Sequence, residues 1–245
     1  LDGISDVELA ARAADAAGRL LVQLRRDALL TGAAIGTAGD LLANQLILAA
    51  LRQWRPDDGM LSEELPDRPD RLAKSRVWIV DPLDGTREYV EGRDDWAVHV
   101  ALAVHGAAAT GAVAVPMRGR VFRSDDAQVS PAPRARPLML VSRTRPPARA
   151  AALAQAVGAD IAEMGSAGAK AMAVVAGDAD IYFHSGGQHE WDNCAPAAVA
   201  LGAGLHVSRC DGSPIRYNRE QPLVPDLLIC RPELAPRLLA AIAGV

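Results

Sequence analysis

Asp81–Pro82–Leu83–Asp84–Gly85–Thr86 follows directly on an apolar run, Val77–Trp78–Ile79–Val80. The run is short and flanked by polar segments, which predicts a buried strand. Pro82 biases the residue before it towards extended geometry, so Asp81 is expected at the strand's carboxyl end. The chain then turns. Asp84 can start a short helix through Thr86–Tyr89, and Gly85 lets the backbone come close to a ligand. In that geometry Asp81 and Asp84 point into one pocket, where the freed carbonyl of Leu83 can join them. Oxygen ligands of this kind suit a hard cation such as Mg²⁺, and the amides of Gly85 and Thr86 suit a phosphate. Taken alone, a DxxDG segment is more often an aspartate that merely caps a turn.

Two distant segments change that balance. Upstream, Ser62–Glu63–Glu64 follows the apolar Met60–Leu61, so an acidic pair again ends a strand-like segment. Downstream, Glu190–Trp191–Asp192–Asn193–Cys194–Ala195 places an aspartate at the start of an Ala-rich helix. Each alone reads blandly, as a solvated loop and as a helix cap. Carboxylates gathered in one pocket repel each other and lose hydration, so together they need cations to stay ionised.

Further out, Ser5–Asp6–Val7–Glu8 predicts a capping box that opens a long helix to about Leu30. A Gly/Thr/Ala stretch at Thr31–Gly39 precedes a second helix from Leu41 to Gln53. Strands are expected at Ala97–Val104, Gly111–Val115 and Val121–Arg123. The composition shifts at Ser130–Pro137 (SPAPRARP), the best candidate for a boundary. This divides the chain into an α+β half, 1–130, with the DPLDGT segment, and an α/β half, 131–245, with WDNCA. In the second half strands are expected at Leu138–Ser142, Ile181–His184, Leu205–Ser208 and Leu227–Cys230. Helices are expected at Ala148–Val157, Ser166–Ala176, around Pro196–Leu201 and at Glu233–Ile242. The fold class is mixed α/β, with a sheet in each half.

Composition narrows the function. Half of the 245 residues are hydrophobic, about a quarter are charged, and the net charge is −4, a globular balance. An acidic chain has no general electrostatic drive towards a nucleic-acid polymer. Apolar runs such as Leu41–Leu51 are too short to span a bilayer, and no signal-peptide pattern opens the chain. Cys194, Cys210 and Cys230 are odd in number and show no CxxC. That pattern predicts buried reduced thiols in the cytoplasm.

The acidic pair, the DPLDGT segment and the WDxxA segment together resemble the lithium-sensitive, Mg²⁺-dependent phosphatase superfamily that includes inositol monophosphatase and fructose-1,6-bisphosphatase. The similarity runs from Thr37–Ala38–Gly39–Asp40, like the family's TAxD, to the final helix. The resemblance implies a layered α-β-α-β-α sandwich and two or three Mg²⁺ ions. One ion would be held by Glu63, Asp81 and the Leu83 carbonyl, and a second by Asp81, Asp84 and Asp192. Glu63 and Thr86 would orient the attacking water, with Asp40 hydrogen-bonded to Thr86. Two metals can activate a water and stabilise a leaving oxygen, so nothing here needs a covalent intermediate.

Within the superfamily, Asp84–Gly85–Thr86–Arg87–Glu88–Tyr89 is similar to the DGT(K/R)EF of CysQ-type enzymes, which remove the 3′-phosphate of 3′-phosphoadenosine-5′-phosphate. Ser142–Arg143 resembles that branch's SRS segment, and Gly165–Ser166–Ala167–Gly168–Ala169–Lys170 its GS-x-x-x-K helix start. The resemblance thus implies Asp84, Gly85, Thr86, Arg87, Ser166, Lys170 and Asp192 as the substrate-binding set, with Lys170 meeting a second phosphate. Ser185 stands where inositol enzymes carry a substrate-binding glutamate, which disfavours a polyol. Inositol phosphate and fructose-1,6-bisphosphate remain the alternatives, as does a homodimer. On base rates Lys170 and Arg87 are solvated helix residues, and Arg209, Arg216 and Tyr217 belong to a late loop that could reach substrate. The five histidines show no ligand spacing and read as structural. A haloacid-dehalogenase-type site is disfavoured, because its two aspartates are two apart and share a strand face. A non-catalytic sensor should have lost a ligand, and none is missing.

Overall fold

The computed structural model describes residues 3–126 and 134–244. Two five-stranded sheets, one from each half, are separated and covered by helices. In the first, β1 (Gly59–Ser62) pairs in parallel with β2 (Arg76–Asp84). Antiparallel β3 (Ala97–Val104), β4 (Ala107–Val115) and β5 (Arg120–Arg123) follow. The second sheet comprises β6 (Leu138–Ser142), β7 (Asp160–Met164), β8 (Ile181–His189), β9 (His206–Ser208) and β10 (Leu223–Cys230), in the order β7-β6-β8-β10-β9.

Helices α1 (Asp6–Asp27) and α2 (Ala33–Trp54) cover the outer face of the first sheet. Their core joins Leu9, Leu21, Ile47 and Leu51 to Trp78, Val80, Val98 and Val100. α5 (Ala167–Ala176) and α6 (Glu190–Gly202) lie between the sheets. There Val77, Ile79 and Val113 on one side, and Tyr182, Leu227 and Ile229 on the other, share one core with Met172, Cys194 and Val199. α4 (Ala150–Val157) and α7 (Ala235–Ala243) close the far face through Leu153, Leu238 and Phe183. This is the expected five-layer sandwich.

The small residues of α6 explain its central position. A Cβ at Gly111 of β4 would come within 3.2 Å of the Ala195 Cα, so only an Ala-rich helix can lie this close to the sheet. α1 opens on Ser5, whose side chain accepts from the Glu8 amide, as expected. α2 begins at Ala33, well before the expected Leu41. Gly36 and Gly39 do not break it because they are contact points: a Cβ at Gly36 would reach 2.9 Å from Val90 Cγ2, and one at Gly39 2.9 Å from Leu21 Cδ2. Among the described residues α2 is the one helix long and apolar enough to cross a membrane, yet half of that apolar window is buried inside the protein. The SPAPRARP segment lies partly outside the described residues, at 130–133.

Candidate active site

Parallel pairing sets up the acidic end of the first sheet. Ser62 on β1 stands beside Val80 on β2, and the Glu63 amide donates to the Val80 carbonyl at 3.2 Å. Glu63 and Asp81 therefore leave neighbouring strands side by side. The spacing of Asp81 and Asp84 would put them on opposite faces of a regular strand. A β-bulge corrects this. Asp81 pairs with His99 and Asp84 with Ala97, so β2 takes three steps where β3 takes two. The extra residue returns Asp84 to the face of Asp81. Gly85 follows at φ +91, and α3 (Thr86–Val90) starts there, anchored by the Tyr89 hydroxyl donating to the Leu21 carbonyl at 2.8 Å. From the other half, the first turn of α6 brings Asp192. Oxygen atoms of Asp81, Asp84 and Asp192 all lie within 4.8 Å of one another.

Each carboxylate is held in place by the chain. Oδ2 of Asp84 accepts from Ser166 Oγ and from the Gly168 amide at 2.7 Å. His99 Nε2 stands 3.2 Å from the same oxygen, an ion-pair approach rather than an aligned hydrogen bond. The other ring nitrogen of His99 donates to the Trp191 carbonyl at 3.0 Å. Both nitrogens thus face oxygen acceptors, and this buried ring ties Asp84 to the start of α6. Asp192 is the third residue of that helix, and its Oδ2 accepts the His189 amide at 2.6 Å. Asp192 is therefore both a helix cap and a member of the cluster. Thr86 Oγ1 lies 3.1 Å from the Leu83 carbonyl and 3.4 Å from Asp40 Oδ2.

Burial first, then the neighbouring Glu63 and Asp84 charges, push the Asp81 carboxyl well above the usual carboxylate range. Burial and the Asp192 charge push Glu63 up to about 7, against a hydrogen bond with Asp81. Burial and the Asp84 charge raise Asp192 to about 6. Burial, Glu64 and Glu63 raise Asp40 to about 7. Asp84 goes the other way: burial opposes ionisation, but the charge of His99 and the hydrogen bonds from Ser166 and Gly168 bring it down to about 2. An all-oxygen donor set under mutual repulsion, with the buried Asp40 Oδ1 lacking any hydrogen-bond partner, fits hard divalent cations.

The cluster floors one end of a cleft of about 490 Å³, lined also by Arg87, Ser142, Thr144, Arg145, Ser166, Lys170, Tyr182, His184 and Gln188. Lys170 is buried, and its ammonium donates to the carbonyls of Met164, Gly165 and Ser166. Arg143 is paired with Glu88 and Glu91. The late-loop residues lie elsewhere: Arg209 forms a two-point pair with Asp226, and the buried Tyr217 hydroxyl donates to Asn193. Arg216 lines a different groove. Sequence reasoning missed the contact of His99 with Asp84, and Arg145, Tyr182, His184 and Gln188 as cleft walls. The one available signal for His99 was a polar residue alone within the apolar strand Ala97–Val104.

A five-layer sandwich with carboxylates converging from both halves beside a cleft defines a class of metal-dependent phosphatases acting on small phosphorylated molecules. The model of the inositol monophosphatase family matches residues 6–244, and the chain belongs to that family. It is 49% identical over 257 residues to the 3′-phosphoadenosine 5′-phosphate phosphatase of Mycobacterium leprae, covering 99% of this chain and 95% of that one. It is 32% identical over 202 residues to the 3′(2′),5′-bisphosphate nucleotidase CysQ of Escherichia coli K12, covering 77% and 82% of the two chains. Its fold matches the crystal structure of CysQ from Bacteroides thetaiotaomicron with a TM-score of 0.77 at 24% identity, over 92% of this chain and 97% of that one.

Proposed function

We propose that this chain hydrolyses the 3′-phosphate of 3′-phosphoadenosine 5′-phosphate, giving AMP and inorganic phosphate, with Mg²⁺ as its metal. The observation that carries the reading is the meeting of Asp81, Asp84 and Asp192 at the floor of a cleft, in a chain about half identical to a relative named for that activity. Glu63, Asp81 and the Leu83 carbonyl would hold one ion, and Asp81, Asp84 and Asp192 a second. Bound there, Mg²⁺ supplies positive charge and Lewis acidity for cleavage of a phosphate monoester.

The chain's own groups do the rest. Glu63, which lines the cleft beside Asp81, is suited to accept a hydrogen bond from the attacking water and so orient it. Thr86 Oγ1 gives its proton to an acceptor within the chain and keeps its lone pairs to fix that water's orientation. Asp40 stands behind Thr86 and steadies it. Gly85 and Arg87 line the same end of the cleft and offer an amide and a cation to phosphoryl oxygens.

The test compares kcat/KM for adenosine 3′,5′-bisphosphate, inositol 1-phosphate and fructose 1,6-bisphosphate in Mg²⁺. The nucleotide is expected to lead by about tenfold or more, roughly the discrimination that a buried polar site achieves. Equal or better turnover of inositol phosphate would refute the substrate assignment.

A further inference from the structure

A substrate with two phosphates poses an electrostatic problem in this cleft. While one phosphate sits over the carboxylate cluster, the other needs a cation away from those acidic groups. Four basic side chains reach the cleft or its edge. Lys170 spends its donors on three backbone carbonyls. Arg143 is held by Glu88 and Glu91. Arg87 stands directly after Thr86, on the side of the carboxylates.

Arg145 is left. Its exposed side chain lines the cleft on the same wall as Ser142, Thr144 and His184, and among the described residues no ion pair or side-chain hydrogen bond engages it. The chain also presents it firmly. The Arg145 amide donates to Ser142 Oγ at 3.2 Å, at the end of β6, and Pro146–Pro147 follow, the second of them buried. Two prolines fix their own backbone angles and restrict the residue before them, so the loop is ordered before any ligand arrives. A guanidinium suits the task, because its planar fork matches two phosphate oxygens at once.

We infer that Arg145 binds the second phosphate of the nucleotide and sets the preference for a bisphosphate over a monophosphate. This rests on the reading of the site as a nucleotide phosphatase, and the experiment separates the two. Wild type, Arg145→Ala, Arg145→Lys and Arg87→Ala are assayed on adenosine 3′,5′-bisphosphate and adenosine 3′-monophosphate. Wild type is expected to favour the bisphosphate in kcat/KM. In Arg145→Ala that ratio should fall roughly tenfold to a hundredfold, the worth of a charged hydrogen-bonded contact. The fall should come through KM for the bisphosphate, and Arg145→Lys should recover part of it. A ratio that survives in Arg145→Ala, or that collapses in Arg87→Ala instead, overturns the inference alone. A wild-type enzyme that does not distinguish the two nucleotides overturns the substrate reading and the inference with it.

Discussion

Asp81 and Asp84 belong to one bulged strand end yet are held in opposite protonation preferences, Asp81 well above the usual range and Asp84 down to about 2. The difference lies in their partners. Asp84 faces an imidazole, a hydroxyl and an amide, whereas the nearest charges to Asp81 are other carboxylates. A carboxyl whose folded pKa lies above its unfolded value stabilises the fold below the unfolded pKa, and loses that stability as pH rises through the folded one. Glu63 and Asp40 at about 7 and Asp192 at about 6 set the window. In protein stripped with chelator, Tm should therefore fall as pH rises from about 5 to about 8, and Mg²⁺ should remove most of the fall. Thermal melts with and without Mg²⁺ check this; a flat profile in chelator would contradict it. The carboxylates were legible in the sequence because their spacing carries a recognisable pattern. His99 was not, since nothing in an apolar strand says which carboxylate it will meet. The sequence likewise shows the charge of Lys170 but not the three carbonyls that surround its ammonium.

At the level of elements, α5 positions the site through the conformation of its first residues. Ser166 adopts φ +50, costly for a residue with a side chain, and from there its hydroxyl both caps the Ala169 amide and reaches Asp84. Two residues on, a Cβ at Gly168 would lie 2.0 Å from His99 Nε2. Gly168→Ala must push apart the helix and the histidine, and with them the amide that fixes Asp84. Overpacking of this kind costs about 1–3 kcal/mol, so Tm should drop by several degrees, and kcat by about tenfold as Asp84 shifts. Wild-type kcat and Tm in this variant would contradict the assigned role. Element boundaries were harder to read where glycine serves packing rather than turning. Thr31–Gly39 lies largely within α2. Gly186 and Gly187, at φ +116 and +86, form an irregularity within β8, which takes three steps from Ser185 to Gln188 where β10 takes two. Strand β7 escaped notice because its sequence, Asp160–Met164, alternates weakly and is half exposed.

Across the whole molecule, the site exists because one core runs between both sheets and draws α6 against β2. The layered architecture followed from the family pattern, and the alternation of strands and helices agreed with it. What the sequence could not show is that the bulge in β2 is needed to turn two aspartates three residues apart into one pocket. The central claim is that these acidic groups oppose the fold's own stability in order to hold cations for catalysis. Asp81→Asn tests it most directly, with Mg²⁺-dependent turnover and Tm in chelator measured on the same protein. Turnover should fall to about a hundredth or less, as expected for loss of a metal ligand worth several kcal/mol to the transition state. Tm in chelator should hold or rise, because a buried carboxyl that resists ionisation has been replaced by a neutral side chain. Turnover above about a tenth of wild type, or a marked loss of Tm in chelator, would contradict the account.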